Sequence, residues 1–304
     1  MTEASQTKRR SAGQWAVAWR RFRRNKSGLA GLAVVGAFLV LALYGFFAAP
    51  YPPRSSPASF VCLYQGCTNL PPFVSWAHPL GTEPSGLDIW SEISHGAAGD
   101  LYVGVGATLL SVVIGIVVGA LAGYREGIIS SLLLGLTQVF FVIPILIIIL
   151  LFAKIFLFLV ASGLGINLIV FALGIFGWPI IAFIARGEIL RIRELEFVQA
   201  SRALGASNSR ILFRHIVPNM LSPIIVIASL LIAGNILTEV IISFLGFGDP
   251  AASTWGLLLD DGFQYVRSSW WVSFFPGIAV VLCVLGFNLM GDGLSDALNP
   301  RLRE

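Results

Sequence analysis

The side chains that could do chemistry are sparse, and their spacing excludes more than it offers. Histidine occurs only at 78, 95 and 215, with no ligand spacing between the three, so no metal site is predicted. The three lysines, Lys8, Lys26 and Lys154, follow Thr7, Asn25 and Ala153. The glycine-rich loop that cradles nucleotide phosphates needs a Gly-Lys step, so this chain cannot form one. If ATP drives the protein, another subunit binds it. Serines are numerous, but no nucleophile, base and orienting acid can be assembled, and no catalytic residue is assigned.

Three features remain. Cys62 and Cys67, in CLYQGC, are close enough to form a small disulfide-closed ring in an oxidising compartment, while Cys283 reads as an apolar filler. Glu239 lies deep in the apolar run ILTEVIISFLGFG. A carboxyl there is costly, which leaves two readings: a pore or gate residue, or a structural hydrogen bond, with Asn235 one turn earlier. The third feature is a polar stretch, Glu196 to Asn219, EFVQASRALGASNSRILFRHIVPN, carrying Arg202, Arg210, Arg214 and His215.

The elements that must position these residues are transmembrane helices. Of 304 residues, 56% are hydrophobic and 12% charged, where a soluble domain carries about 25% charged residues. Uncharged runs cover 27–53, 101–124, 127–153, 155–185, 216–238 and 268–291. About 20 residues cross the ~30 Å hydrocarbon core as a helix, and the short alternating segments of a barrel are missing. The sequence therefore predicts an all-α integral membrane protein with six transmembrane helices.

Charge sets the expected orientation. Of the 20 basic residues, 17 fall on one side, in Lys8–Lys26, at Arg125, in Arg186–Arg214 and at Arg301 and Arg303. The positive-inside rule places both termini and the polar stretch in the cytoplasm. The net charge of +4 follows from this topology, with no nucleic-acid partner needed. Residues 1–26 form a cytoplasmic segment in which Trp15, Trp19 and Phe22 share a face among arginines, either as a helix lying in the membrane interface or as a merely basic flank. The first span is 27–49 and the Pro-rich extracytoplasmic loop 50–96. The rest of the core, 97–304, contains the polar stretch within 187–218. Pro144 should kink the third span, and Gly174, Gly177 and Pro179 in the fourth allow close helix packing or a change in it.

Leading into the polar stretch, Ile189, Ile192, Leu195 and Val198 recur every three residues from Glu188 onward, which predicts a cytoplasmic amphipathic helix, an extension of the fourth span or a short separate one. Gly205 is placed to end it in a left-handed conformation. Ser207 or Asn208 can cap a second helix over 210–217, and Pro218 suits the start of the fifth span. A rigid polar elbow of this kind reads as a docking surface.

These residues also carry a resemblance. Gln199-Ala200-Ser201, then Gly205, then Ile216-Val217-Pro218 resembles the EAA loop of ABC importer permeases. ARALGAS-x-x-RILFRHIVPN is similar to the peptide and nickel branch in its C-type subunit form. Leu80-Gly81-Thr82 with Gly86 and Asp88, Ile236–Glu239 with Ser243–Gly248, Trp255-Gly256 with Asp261-Gly262, Phe275–Gly277 and the tail 287–303 match that branch as well. Gln199 and Ser201 replace the family's Glu and second Ala, Gln138 stands for an Asp, and Leu87 and Glu92 stand where basic residues are expected.

The resemblance implies a type I ABC importer (MetI-like) permease fold in a prokaryotic cell membrane. It implies a half-pore paired with a homologous permease, two ABC ATPase subunits that bind ATP and Mg, and an extracytoplasmic solute-binding protein. Gln199, Ala200, Ser201, Arg202, Gly205, Arg210 and Pro218 would form the ATPase-coupling loop. The implied cargo is peptide, with oligosaccharide or nickel as alternatives. An ion-coupled secondary transporter, the reading from another class, would need several midplane carboxylates and inverted repeats.

Overall fold

The computed structural model describes residues 14–60, 62, 66–124, 127–155 and 165–298. The sequence readings that rest on Lys8, Arg125, Arg301, Arg303 and the interior of CLYQGC lie outside these. Helix α1 (Gln14–Phe22) precedes α2 (Lys26–Ala48), which starts on Asn25, whose side chain accepts from the amide of Gly28. A long loop leads to α3 (Ile89–Tyr124), followed by α4 (Ile128–Val142), α5 (Ile145–Ile155) and α6 (Gly165–Arg193). Then come α7 (Glu196–Ala203), α8 (Asn208–Ile211), α9 (Val217–Ile242), α10 (Trp255–Gln264) and α11 (Trp271–Leu298).

Among the described residues, five segments are long and apolar enough to cross a membrane: α2, α3, α6, the continuous 208–247 stretch containing α9, and α11. The expected third span is a broken one. Pro144 has no amide and crowds the preceding turn, so α4 and α5 meet at 80° across Ile143 and Pro144. Helix α5 takes in Ile155, and the described part of the fourth span begins at Gly165.

The second span also differs from expectation. Helix α3 starts at Ile89, inside the stretch 50–96 read as loop, because Asp88 accepts the amide of Ser91 at 2.8 Å and caps it. Its 36 residues would reach about 54 Å at 1.5 Å per residue, well beyond a bilayer core. The first three turns carry Glu92 and Asp100, both buried against protein. A charge-free window could not include those turns.

Helices α3 and α6 form the most extensive packing among the described residues, and glycine sets their separation. A Cβ on Gly115 would lie 2.5 Å from the Ile181 Cβ, and one on Gly119 2.6 Å from that of Ala185. From the other helix, one on Gly177 would lie 2.6 Å from the Ser111 hydroxyl. Without a hydrophobic drive between helices in lipid, such close approach supplies the attraction through dispersion contacts. Ser111 donates to the Gly174 carbonyl at 3.0 Å within the same contact.

At the end rich in arginine, called here the basic end, α1 folds back onto α11, with Phe22 buried against Gly28 and Gly293. Asn25 donates to Asp296 at 2.9 Å, which ties this turn to the end of α11.

Candidate functional site

The polar stretch folds into an elbow at the basic end, and the helix read from Glu188 onward divides between an extension of the fourth span and a short separate helix. Ile189 and Ile192 belong to α6, which runs on to Arg193, and the elbow's first helix, α7, begins only at Glu196. The bundle ends one helix before the amphipathic pattern does, so an unbroken three-residue period hid the break. Helix α7 closes with a Schellman turn: the amide of Ala206 donates to the Ser201 carbonyl at 3.1 Å, and that of Gly205 to the Arg202 carbonyl at 3.0 Å. Gly205 has φ +79° in this turn, a conformation that costs any Cβ-bearing residue about 1–2 kcal/mol.

The second helix of the elbow is not separate. Ser207 precedes α8 with extended backbone but no side-chain cap, and α8 passes through a π-turn, Leu212–Ile216, straight into α9. Pro218 sits in the first turn of α9. A proline ring clashes with the carbonyl four residues earlier, here Arg214, and the widened turn relieves that crowding. The elbow is therefore the start of the fifth span, bent back along the end of the bundle.

Its two sides differ in polarity. Val198, Ile211, Ile216 and Met220 are fully buried in one cluster with Ile181, Ala185, Ile189 and Ile192 of α6. The opposite side exposes Gln199, Ala200, Arg202 and Arg210, together with Leu204 at 88% and Phe213 at 70%. Gln199 donates to the Arg193 carbonyl at 3.2 Å, Ser201 to the Phe197 carbonyl at 2.8 Å, and Phe197 packs on His215 with ring centroids 6.1 Å apart. A helix–turn–helix fused to the core on one side thus presents apolar and cationic groups on the other.

The second site lies between α3 and α9, where the sequence suggested that Asn235 bonds Glu239. Asn235 instead donates across the interface to Thr108 at 3.0 Å. Glu239 Oε1 accepts from Ser243 at 2.6 Å, while its Oε2 is buried with no hydrogen-bond partner among the described residues. Asp100 Oδ2 accepts the amide of Trp255 at 2.9 Å, at the start of α10. Asp100 went unread because an acid flanked by Ala-Ala-Gly looks like the end of a loop. The spacing Asp100, Gly104, Thr108 along one helix face is the signal that would have found it.

At the opposite, loop end, the motif Leu80 to Asp88 forms a small antiparallel turn in which Thr82 pairs with Asp88, with Gly81 at φ +83° and Gly86 at φ +94°. Asp88 then caps α3 and accepts from His78 Nδ1 at 2.9 Å. Arg54 bonds Asp261 at 2.7 Å, and Glu83 and Glu92 add their fields to this arginine. The Glu83 carboxyl is pushed from 4.5 up to about 7, chiefly by burial; the charge of Asp261 adds to the rise, while Ser85 and Arg54 oppose it. Cys62 and Cys67 are joined by a disulfide beside His78. The three place their ligand atoms within 4.8 Å of one another, a convergence that residue spacing did not reveal. The bonded sulfurs are not available as thiolate ligands.

Comparisons with known proteins agree with this architecture. Residues 115–304 match the family described as "Binding-protein-dependent transport system inner membrane component", and residues 13–72 match the "N-terminal TM domain of oligopeptide transport permease C". The chain is 37% identical to the dipeptide transport system permease protein DppC of Bacillus subtilis over 303 residues, covering 99% of this chain and 90% of that one. It is 33% identical to the oligopeptide permease protein OppC of the same organism, covering 99% and 94%. It is also 33% identical to the glutathione transport system permease protein GsiD of Pectobacterium atrosepticum, covering 95% and 92%. The chain belongs to the binding-protein-dependent transport permeases, as a C-type subunit of the peptide and nickel branch.

Proposed function

We propose that the chain is one half of the transmembrane pore of an ATP-driven importer that takes up di- and oligopeptides. In this reading a homologous permease completes the pore. Two ABC ATPase subunits bind ATP and Mg, and a solute-binding protein delivers cargo to the loop end, outside a prokaryotic cell membrane. The basic end, with both termini, then faces the cytoplasm, as its arginines favour. Peptide cargo is favoured because relatives named for dipeptide, oligopeptide and glutathione transport match nearly the whole chain.

The observation that carries the coupling mechanism is Leu204. It is 88% exposed on the tight Gly205 turn, beside exposed Arg202, while the other side of the elbow is welded to α6 and α9 by fully buried isoleucines. An exposed apolar anchor beside a cation fits a groove on a partner. The elbow runs without interruption into α9, so displacing it would tilt the fifth span as a rigid body. ATP-driven closure of the ATPases would thereby switch the pore between its inward- and outward-facing states.

Reconstitution of the four-part transporter with its binding protein tests the proposal. ATP-dependent accumulation of labelled dipeptide in proteoliposomes is expected. Accumulation of an oligosaccharide or of Ni2+ in its place would reassign the cargo, and uptake driven by an ion gradient without ATP would refute the mechanism.

A further inference from the structure

The turn between α1 and α2 concentrates positive charge. Arg20, Arg21, Arg23, Arg24 and Lys26 fall within seven residues that hold no acid. All but the half-buried Arg21 are exposed. Where α1, α2 and α11 meet there is also an apolar groove of about 220 Å³. Met290, Leu294 and Leu298 of α11 line it at four-residue spacing, one face of that helix. Leu32 of α2 and Trp19 and Phe22 of α1 complete it.

The packing fixes the groove's direction. Phe22 lies against Gly28 and Gly293, and a Cβ on Gly28 would come 2.9 Å from the Gly293 Cα. Helix α1 therefore crosses at the Leu294–Leu298 end of the stripe, while Met290 and Leu32 lie toward the bilayer interior. From Met290 to Leu298 the stripe rises about 12 Å. An apolar channel thus runs along two membrane-spanning helices and ends beside a cluster of cations.

This combination specifies an occupant with an apolar chain and an anionic head. The groove is smaller than the ~300–1,000 Å³ of an ordinary small-molecule site, which suits one extended chain. Trp19 is 55% exposed and stacks on Phe22 at 5.9 Å, the placement of an amphipathic ring at a bilayer surface. Basic clusters on a helix next to a span attract anionic headgroups. We propose that α1, α2 and α11 bind one anionic phospholipid, with an acyl chain in the groove and its phosphate on the arginines of the α1–α2 turn. The head would offset repulsion among the five cations, and the chain would fix α1 to both spans. This inference stands apart from the importer reading, because it needs only that α2 and α11 cross a bilayer.

Native mass spectrometry of the assembled transporter, released from vesicles of equal phosphatidylglycerol and phosphatidylcholine, tests it. Wild type should retain one more phosphatidylglycerol than Leu294→Trp, which fills the groove without altering charge. Each cation near an anionic surface is worth about fivefold in affinity. Arg23→Gln/Arg24→Gln should therefore lower the preference for phosphatidylglycerol at this position by about 25-fold. If Leu294→Trp does not assemble, Leu298→Phe replaces it with the same expected loss. Lipid retention unchanged by the groove variant would reduce the cluster to diffuse surface attraction and overturn the site. Release of the partner permease by that variant, with no change in bound lipid, would show the groove to be a subunit contact and would overturn it equally.

Discussion

Asn235 on α9 donates its side-chain amide to the Thr108 hydroxyl on α3 at 3.0 Å, one helical turn from Glu239. Between these two polar contacts, a Cβ on Gly104 would come within 2.6 Å of Ile236 Cγ1. The α3–α9 seam is thus polar at both ends and tightly packed in the middle.

Close packing should matter more here than the amide bond. Interhelical hydrogen bonds in membranes average about 0.6 kcal/mol and reach about 1.7, whereas overpacking a tight contact costs about 1–3 kcal/mol. Asn235→Ala should therefore lower the unfolding midpoint of the purified transporter less than Gly104→Val does. The reverse order would show that the seam is held by its polar ends.

Glu239→Ala should impair uptake or assembly, while Glu239→Gln, which can still accept from Ser243, should be much milder. Uptake by both variants in proteoliposomes, normalised to inserted protein, is the measurement. Wild-type rates in both would make this residue passive.

Glu83 predicts a pH dependence at the loop end. Its carboxyl titrates near 7 when folded and near 4.5 when free, so the folded state holds the proton more tightly. The associated stability is fully present below about 4.5 and is lost as pH rises through about 7. Each tenfold difference in proton affinity between the folded and free states corresponds to about 1.4 kcal/mol. Glu83→Gln, neutral at every pH and still beside Arg54, Asp261 and Glu92, should flatten the fall in unfolding midpoint between pH 5 and 8. An unaltered slope would place the titration elsewhere.

The Cys62–Cys67 bond predicts one alkylated thiol, that of Cys283, when the unfolded chain is labelled without reductant. Three labelled thiols by intact mass would show the outer pair reduced.

Much of this architecture was legible in the sequence, because apolar runs, Pro144 and Gly205 each act through local backbone physics. What could not be read depended on partners distant in the chain. The first turns of α3 look like loop until Asp100 and Glu92 are seen buried under α10 and the 50–88 segment. The α6–α7 break interrupts no sequence pattern, because both sides of it bury isoleucine or valine in the same cluster. The merging of the elbow's second helix into α9 depends on a π-turn that gives Pro218 room, and helix-start signals at Ser207 and Pro218 read equally well as two separate beginnings.

The central claim is that the elbow transmits force between ATPase and pore, and Gly205→Val tests it most directly. The turn has open space around Gly205 and a φ of +79°, so a β-branched side chain should clash with nothing while costing about 1–2 kcal/mol of backbone strain and redirecting Leu204. The spans should insert and the partner permease should bind as in wild type. ATPase activity of the reconstituted complex, with and without loaded binding protein, is measured beside uptake. The account predicts that stimulation by loaded binding protein and uptake fall together in Gly205→Val; full stimulation with full uptake would contradict it.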